Sequence, residues 1–160
     1  MNCAIRPVSS ESMAIPPLTV AGLLPEGVHE CTLDEIRERF GRFQGADRRP
    51  VLFKRLIDFL KEAKASAMVE AVCVDGSFVT AADVPNDIDL ILVVKEDFNL
   101  AFDLLPTQYN LISRTRVQRS FGFDIVTVRA GNPEVDEAFT FFQQVRGRPD
   151  DRKGILRIIL

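Results

Sequence analysis

The sequence has no tryptophan, one tyrosine and one histidine, and its three cysteines have no C-x-x-C spacing. The lone His29, in "PEGVHE", has no serine, cysteine or second histidine placed to make it a catalytic base, so a structural or surface role is expected. Cys3, Cys31 and Cys73 are odd in number, which argues against a disulfide framework and a zinc site and fits a reducing cytoplasm. No apolar run approaches the length of a membrane span, and "MNCAIRPVSSESMAIPPLTVAG" lacks the continuous apolar core of a signal peptide. Excess positive charge is also missing. A net charge of -3 disfavours a protein held to nucleic acid mainly by counterion release.

What is present suits one globular domain. The 160 residues are enough for a real core and too few for two independent ones. Residues 1–20, rich in Ser and Pro, read as an extended or mobile arm, and residues 21–160 as the single domain. Thr32 and Glu35 have capping-box spacing, and Leu33, Ile36 and Phe40 share a face before Gly41, which predicts a short helix. A longer amphipathic helix is expected from about Pro50 to Ser66, with Leu52, Leu56, Phe59, Leu60 and Ala63 inward. "MVEAVCV" reads as a buried strand ending at Asp75-Gly76, and "DIDLILVV" as a second. Residues 96–105 favour a helix stopped before Pro106, while 109–120 read as a strand or extended loop with Arg114 and Arg116 on one side. "FGFDIVTVRA" is a third strand. A last helix follows Asn132-Pro133, with Val135, Ala138, Phe139, Phe142 and Val145 as its stripe and Phe141 off it, where an interface would use it. A short apolar segment, possible as one more strand, ends the chain. The order gives an α/β class built on one central sheet.

Two aspartates open the apolar strand "DIDLILVV". Side chains alternate along a strand, so Asp87 and Asp89 point the same way, followed on that face by Ile91 and Val93. Without a counter-charge they repel, and a hard divalent cation such as magnesium or manganese is the natural partner. Asp124 likewise opens "DIVTV", and a crossover between parallel strands would bring all three acids to one sheet edge. After the preceding strand, Gly76 permits close backbone approach, and a Ser77 hydroxyl with free backbone amides suits phosphate. A nucleoside triphosphate with metal, and phosphoryl transfer, follow.

Gly76-Ser77, nine intervening residues, Asp87-Ile88-Asp89-Leu90 and then Asp124 between hydrophobics resemble the signature of the nucleotidyltransferase superfamily with the DNA polymerase beta type of palm. "LPEGVHECTLDEIRERFG", "VDGSFVT...PNDIDLILVV" and "RKGILRI" are similar to stand-alone bacterial nucleotidyltransferase-like proteins without an assigned reaction. The resemblance implies a minimal nucleotidyltransferase fold, a central mixed sheet with helices mainly on one face. It also implies Asp87, Asp89 and Asp124 as metal ligands, Asp124 as activator of an acceptor hydroxyl, and Gly76, Ser77 and Thr80 as triphosphate binders. Asp75 departs from the pattern, which usually has a hydrophobic residue before Gly-Ser.

Arg114 and Arg116, with Arg119, are expected to neutralise a triphosphate, contact RNA or line a solvated edge. Lys153, in a basic cluster with Arg146, Arg148 and Arg152, is expected to reach an anionic ligand. The expected reaction moves a nucleoside monophosphate from a nucleoside triphosphate to a hydroxyl on a protein, RNA or small molecule. The alternative is a catalytically silent binding module, such as a toxin–antitoxin or defence component, motivated by the small size. No membrane partner is expected, and self-association is left open.

Overall fold

The computed structural model describes residues 15–160. The first strand, β1 (Gly27–Glu30), leads to a helix α1 (Leu33–Ile36) that widens into a π turn over Arg37–Gly41. Thr32 caps α1 as expected: its hydroxyl accepts from the Glu35 amide at 3.2 Å, and the Glu35 carboxylate accepts from the Thr32 amide at 2.7 Å. The long helix α2 (Arg48–Ala65) precedes β2 (Val69–Asp75), a single 3-10 turn (Ser77–Val79) and β3 (Asp89–Val94). Two helices, α3 (Pro106–Ile112) and α4 (Arg114–Phe121), cross over to β4 (Asp124–Arg129). The chain then forms α5 (Pro133–Phe142), a hairpin of β5 (Gln144–Val145) and β6 (Arg148–Arg152), and β7 (Gly154–Ile159).

The five-stranded sheet has the order β1-β7-β2-β3-β4, with β1 parallel to β7, β3 parallel to β4, and the other pairs antiparallel. Alternation splits its side chains cleanly. Val72, Val74, Leu90, Leu92, Ile125 and Leu156 join the core under α1, α2, α3 and α4. Ala71, Cys73, Ile91, Val93, Val128 and Ile155 face α5, whose Val135, Ala138, Phe139 and Phe142 cover them. This is the expected α/β architecture, a central mixed sheet with helices mainly on one face, and it is consistent with the minimal nucleotidyltransferase fold.

Four expectations are corrected. Residues 96–105 do not form a helix, because Asn99 turns its side-chain oxygen onto the Ala101 amide at 2.9 Å, a local bond that competes with helix formation. Pro106 begins the next helix instead of stopping the previous one, as its preset φ and missing N–H suit a first turn. Residues 109–120 are helical, split at Ser113, whose hydroxyl accepts from the Arg116 amide and restarts the helix as α4. The last helix ends at Phe142, and Val145 lies in the hairpin.

Within the expected arm, residues 1–14 lie outside those described. Of the next residues, Ile15 is buried, Leu18 packs on the core, Arg39 donates to the Ile15 and Pro16 carbonyls at 3.0 and 3.1 Å, and Val20 is exposed. Among the described residues no helix is long and apolar enough to cross a membrane.

Candidate active site at the strand ends

Backbone register builds a row of charge across the sheet. Asp75 at the end of β2 pairs with Asp89 at the start of β3, and Asp89 pairs with Asp124 at the start of β4. Directly paired residues share a face, so all three acids emerge on the α5 side, each beyond an apolar stretch of that face. Adjacent strands lie about 4.8 Å apart, close enough for strong mutual repulsion. The crossover that puts Asp89 beside Asp124 is the expected parallel one, carried by α3 and α4 and not by residues 96–105.

Lys153, just before β7, closes one end of the row. Its ammonium donates to both Asp75 oxygens at 2.9 Å, and Asp75 is 3% exposed. Burial still pushes the Asp75 carboxyl above its ordinary value, against the pull of Lys153. Asp75 is thus the counter-ion of Lys153.

Among the described residues Asp89 has no such partner. Its carboxyl is pushed up to about 6, first by burial and then by the charges of Asp87, Asp75 and Asp124. The end of the sheet therefore holds more negative charge than Lys153 balances, and this electrostatic deficit suits a hard cation with oxygen donors. Among the described residues no three acidic, cysteine or histidine side chains close around one point as a ligand set.

Asp87 precedes β3 and faces the turn after β2. Its Oδ1 accepts from the Ser77 hydroxyl at 2.9 Å and the Ser77 amide at 3.1 Å, while its backbone carbonyl accepts from the Phe78 amide. The Ser77 oxygen in turn accepts from the Asn86 amide at 2.8 Å. Gly76 makes this closeness possible. At φ +90° it sits where side chains are strained, and a Cβ would stand 3.0 Å from the Asp87 carbonyl and the Asp89 amide.

The free backbone amides expected after β2 are absent from Ser77 to Thr80: those of Ser77 and Phe78 are bonded to Asp87, where residues 85–87 fold back, and those of Val79 and Thr80 to the Gly76 and Ser77 carbonyls. Thr80 donates its hydroxyl to the Ser77 carbonyl at 2.6 Å and serves the same turn.

Two arginines at the start of α2 hold that turn from beneath. Arg49, 1% exposed, donates to the carbonyls of Phe40, Phe78, Thr80 and Ala82, and its guanidinium lies beside the rings of both Phe40 and Phe78, 5.9 and 5.7 Å from their centres. Arg48 reaches the carbonyls of Pro85 and Asn86. Sequence reasoning missed both, since an Arg in a helix's first turn normally faces solvent.

A cleft of about 800 Å³ opens here. It is lined by Asp75, Gly76, Ser77, Thr80, Asp87, Asp89 and Lys153 from the strand ends and their turns, and by Phe141, Phe142, Val145, Arg146 and Pro149, among others, from the end of α5 and the β5–β6 hairpin. Asp124 stands exposed beside Asp89 on the edge strand. Arg114 and Arg116 are not brought here. They begin α4, at its far end from Asp124, where Arg116 bonds to Asn110 and lies over the Tyr109 ring. His29 bonds to the Pro25 carbonyl at 2.7 Å, in keeping with a structural role. A separate groove of about 640 Å³ beside α1 and α2 contains none of the expected site residues.

The model of a family described as "Family of unknown function (DUF6932)" matches residues 16–159. The chain belongs to this family. Among solved structures, this DUF6932 member is similar to a protein of Sulfolobus solfataricus described as a "putative nucleotidyltransferase", at 17% identity and a TM-score of 0.35, over 61% of this chain and 85% of that one. No curated protein matches the DUF6932 chain.

Proposed function

We propose that the protein is a magnesium- or manganese-dependent nucleotidyltransferase that moves a nucleoside monophosphate from a nucleoside triphosphate to a hydroxyl on a protein, RNA or small molecule. The observation that carries this reading is the register of Asp89 with Asp124, with Asp89, Asp87 and the Gly76-Ser77 turn all lining one cleft. Asp87, Asp89 and Asp124 are the residues that would hold the metal, which when bound offsets charge on the phosphate oxygens and the leaving pyrophosphate.

Asp87 and Ser77 would work by exchange. Turning the Asp87 carboxylate away from Ser77 releases one N–H and one O–H, both suited to a phosphate oxygen. Lys153 stays paired with Asp75 and presents its positive charge to the cleft. In the transfer, the acceptor oxygen bonds to the α-phosphorus, the bond to pyrophosphate breaks, and Asp124 takes the acceptor's proton.

Incubating the protein with α-labelled triphosphates, Mg2+ or Mn2+ and cell extract should label an acceptor, and Asp89→Ala should abolish it. Equal labelling by wild type and variant would overturn the proposal. Triphosphate binding without any labelling would favour the silent binding module.

A further inference from the structure

The cleft has two chemically unlike walls. One holds the carboxylates, the Gly76-Ser77 turn and Lys153; the other, from the end of α5 and the β5–β6 hairpin, presents Phe141, Phe142, Val145 and Pro149 with Arg146. Phe141 is 67% exposed, although α5 otherwise turns its apolar residues to the sheet. Its ring meets Phe142 edge-on at 5.7 Å, and Phe142 is anchored on the core, so the exposed face is held in place at little entropic cost. Arg146 on the same wall has no ion pair or hydrogen bond among the described residues.

We infer that Phe141 is a stacking platform for a nucleobase, forming the base subsite of the cleft. This rests on the proposed triphosphate site, since a ligand with its phosphates at the acidic end and a flat apolar group at the other matches both walls at once. A volume of about 800 Å³ lies within the range of small-molecule sites. An aromatic face accepts any base, because stacking reads a π-surface and not hydrogen bonds; the subsite therefore takes purine and pyrimidine nucleotides alike, with purines favoured by their larger face.

The test compares binding of ATP, CTP and inorganic tripolyphosphate, each with Mg2+, by calorimetry. Wild type should bind both nucleotides more tightly than tripolyphosphate. Phe141→Ala should weaken nucleotide binding about 5- to 150-fold, the range given by one base stacked on an aromatic ring, and leave tripolyphosphate unchanged. Phe141→Trp should keep the nucleotide affinity. Because the ring is exposed, the melting temperature should barely move in either variant.

Nucleotides and tripolyphosphate binding equally to wild type would overturn the inference while leaving the phosphate site intact. So would unchanged nucleotide affinity in Phe141→Ala, and a change of oligomeric state in its place would mark the ring as a protein interface. Failure of wild type to bind any of the three would overturn the proposed function and the subsite together.

Discussion

Lys153 holds both carboxylate oxygens of Asp75 at 2.9 Å, across the join between β2 and the strand beside it. This pairing decides which acids at the sheet end remain available. It gives Asp75 a counter-ion and leaves Asp87, Asp89 and Asp124 without one among the described residues, the three that the Asp-x-Asp pattern and the later strand pointed to. It also fixes Lys153 at the cleft wall, where a flexible lysine would otherwise roam.

Breaking that pair should be costly, and less so in acid. Lys153→Met leaves Asp75 buried without its counter-ion, a loss of about 3 kcal/mol at pH 7. The Asp75 carboxyl already lies above its ordinary value, so without Lys153 it takes up a proton readily and the charge penalty falls as pH drops. Denaturant titrations at pH 7 and pH 5 should give a smaller deficit at pH 5. An equal deficit at both would mean that Lys153 acts through packing alone.

Asp89 makes the opposite contribution to the pair. Its folded value of about 6 exceeds the ordinary 3.8, so the folded state binds its proton more tightly than the unfolded chain does. Stability from this group is therefore greatest below pH 4 and declines as pH rises from about 4 to 6. The full shift corresponds to at most about 3 kcal/mol, which partial exposure reduces to about 1 kcal/mol. Asp89→Asn should match wild type near pH 4 and melt higher at pH 7. Under the proposed function, Mg2+ should stabilise wild type and not the variant, by about 2.7 kcal/mol at a hundred times the dissociation constant, read as a rise in melting temperature.

The strands were legible because they are short, β-branched and bounded by Asp-Gly or Gly-Asn-Pro, and the acids at their mouths stood out against apolar neighbours. Residues 96–105 misled because their apolar count resembles a helix; the turn made by Asn99 outweighs it. The strand Gly27–Glu30 was not legible, as four residues pair with the far end of the chain and carry no alternation of their own. Phe141 was visible as a residue off its helical stripe, though not what it faces. The engagement of Ser77 by Asp87 depends on how residues 85–87 fold back, which no local pattern encodes.

Gly76→Ala should damage both the fold and the site. The added Cβ meets two backbone atoms at 3.0 Å, neither of which can swing aside, and φ +90° is itself unfavourable. Strain of about 1–3 kcal/mol is expected. Relief requires β3 to move from the turn, lengthening the Ser77–Asp87 bonds, so triphosphate binding should weaken along with stability. Chemical denaturation and nucleotide titration on the same variant check both effects; a stable variant with unaltered binding would show that the turn tolerates a side chain.

Arg49 supports the turn from the buried side, and its loss should be the most damaging of these changes. Four carbonyls, from Phe40, Phe78, Thr80 and Ala82, accept from its guanidinium, and burial lowers its pKa without a carboxylate in contact. Arg49→Met keeps much of the volume and leaves the buried carbonyls of Phe40 and Phe78 without this donor, each at about 1–3 kcal/mol before relaxation, while the part-buried carbonyls of Thr80 and Ala82 can turn to water. The sum, about 2–6 kcal/mol, is a large share of a small domain's stability, so the variant should be strongly destabilised. Arg49→Lys keeps the charge but offers a single donor centre in place of a planar fork, so it should fold with several kcal/mol less stability. The diagnostic measurement is hydrogen exchange of the Arg49→Lys variant. The amide of Phe78, bonded to the Asp87 carbonyl, and those of Val79 and Thr80, bonded within the turn, should lose more protection than those of β2 and β3. Uniform loss across the sheet would instead mean that Arg49 serves the whole core and not the turn that carries Ser77.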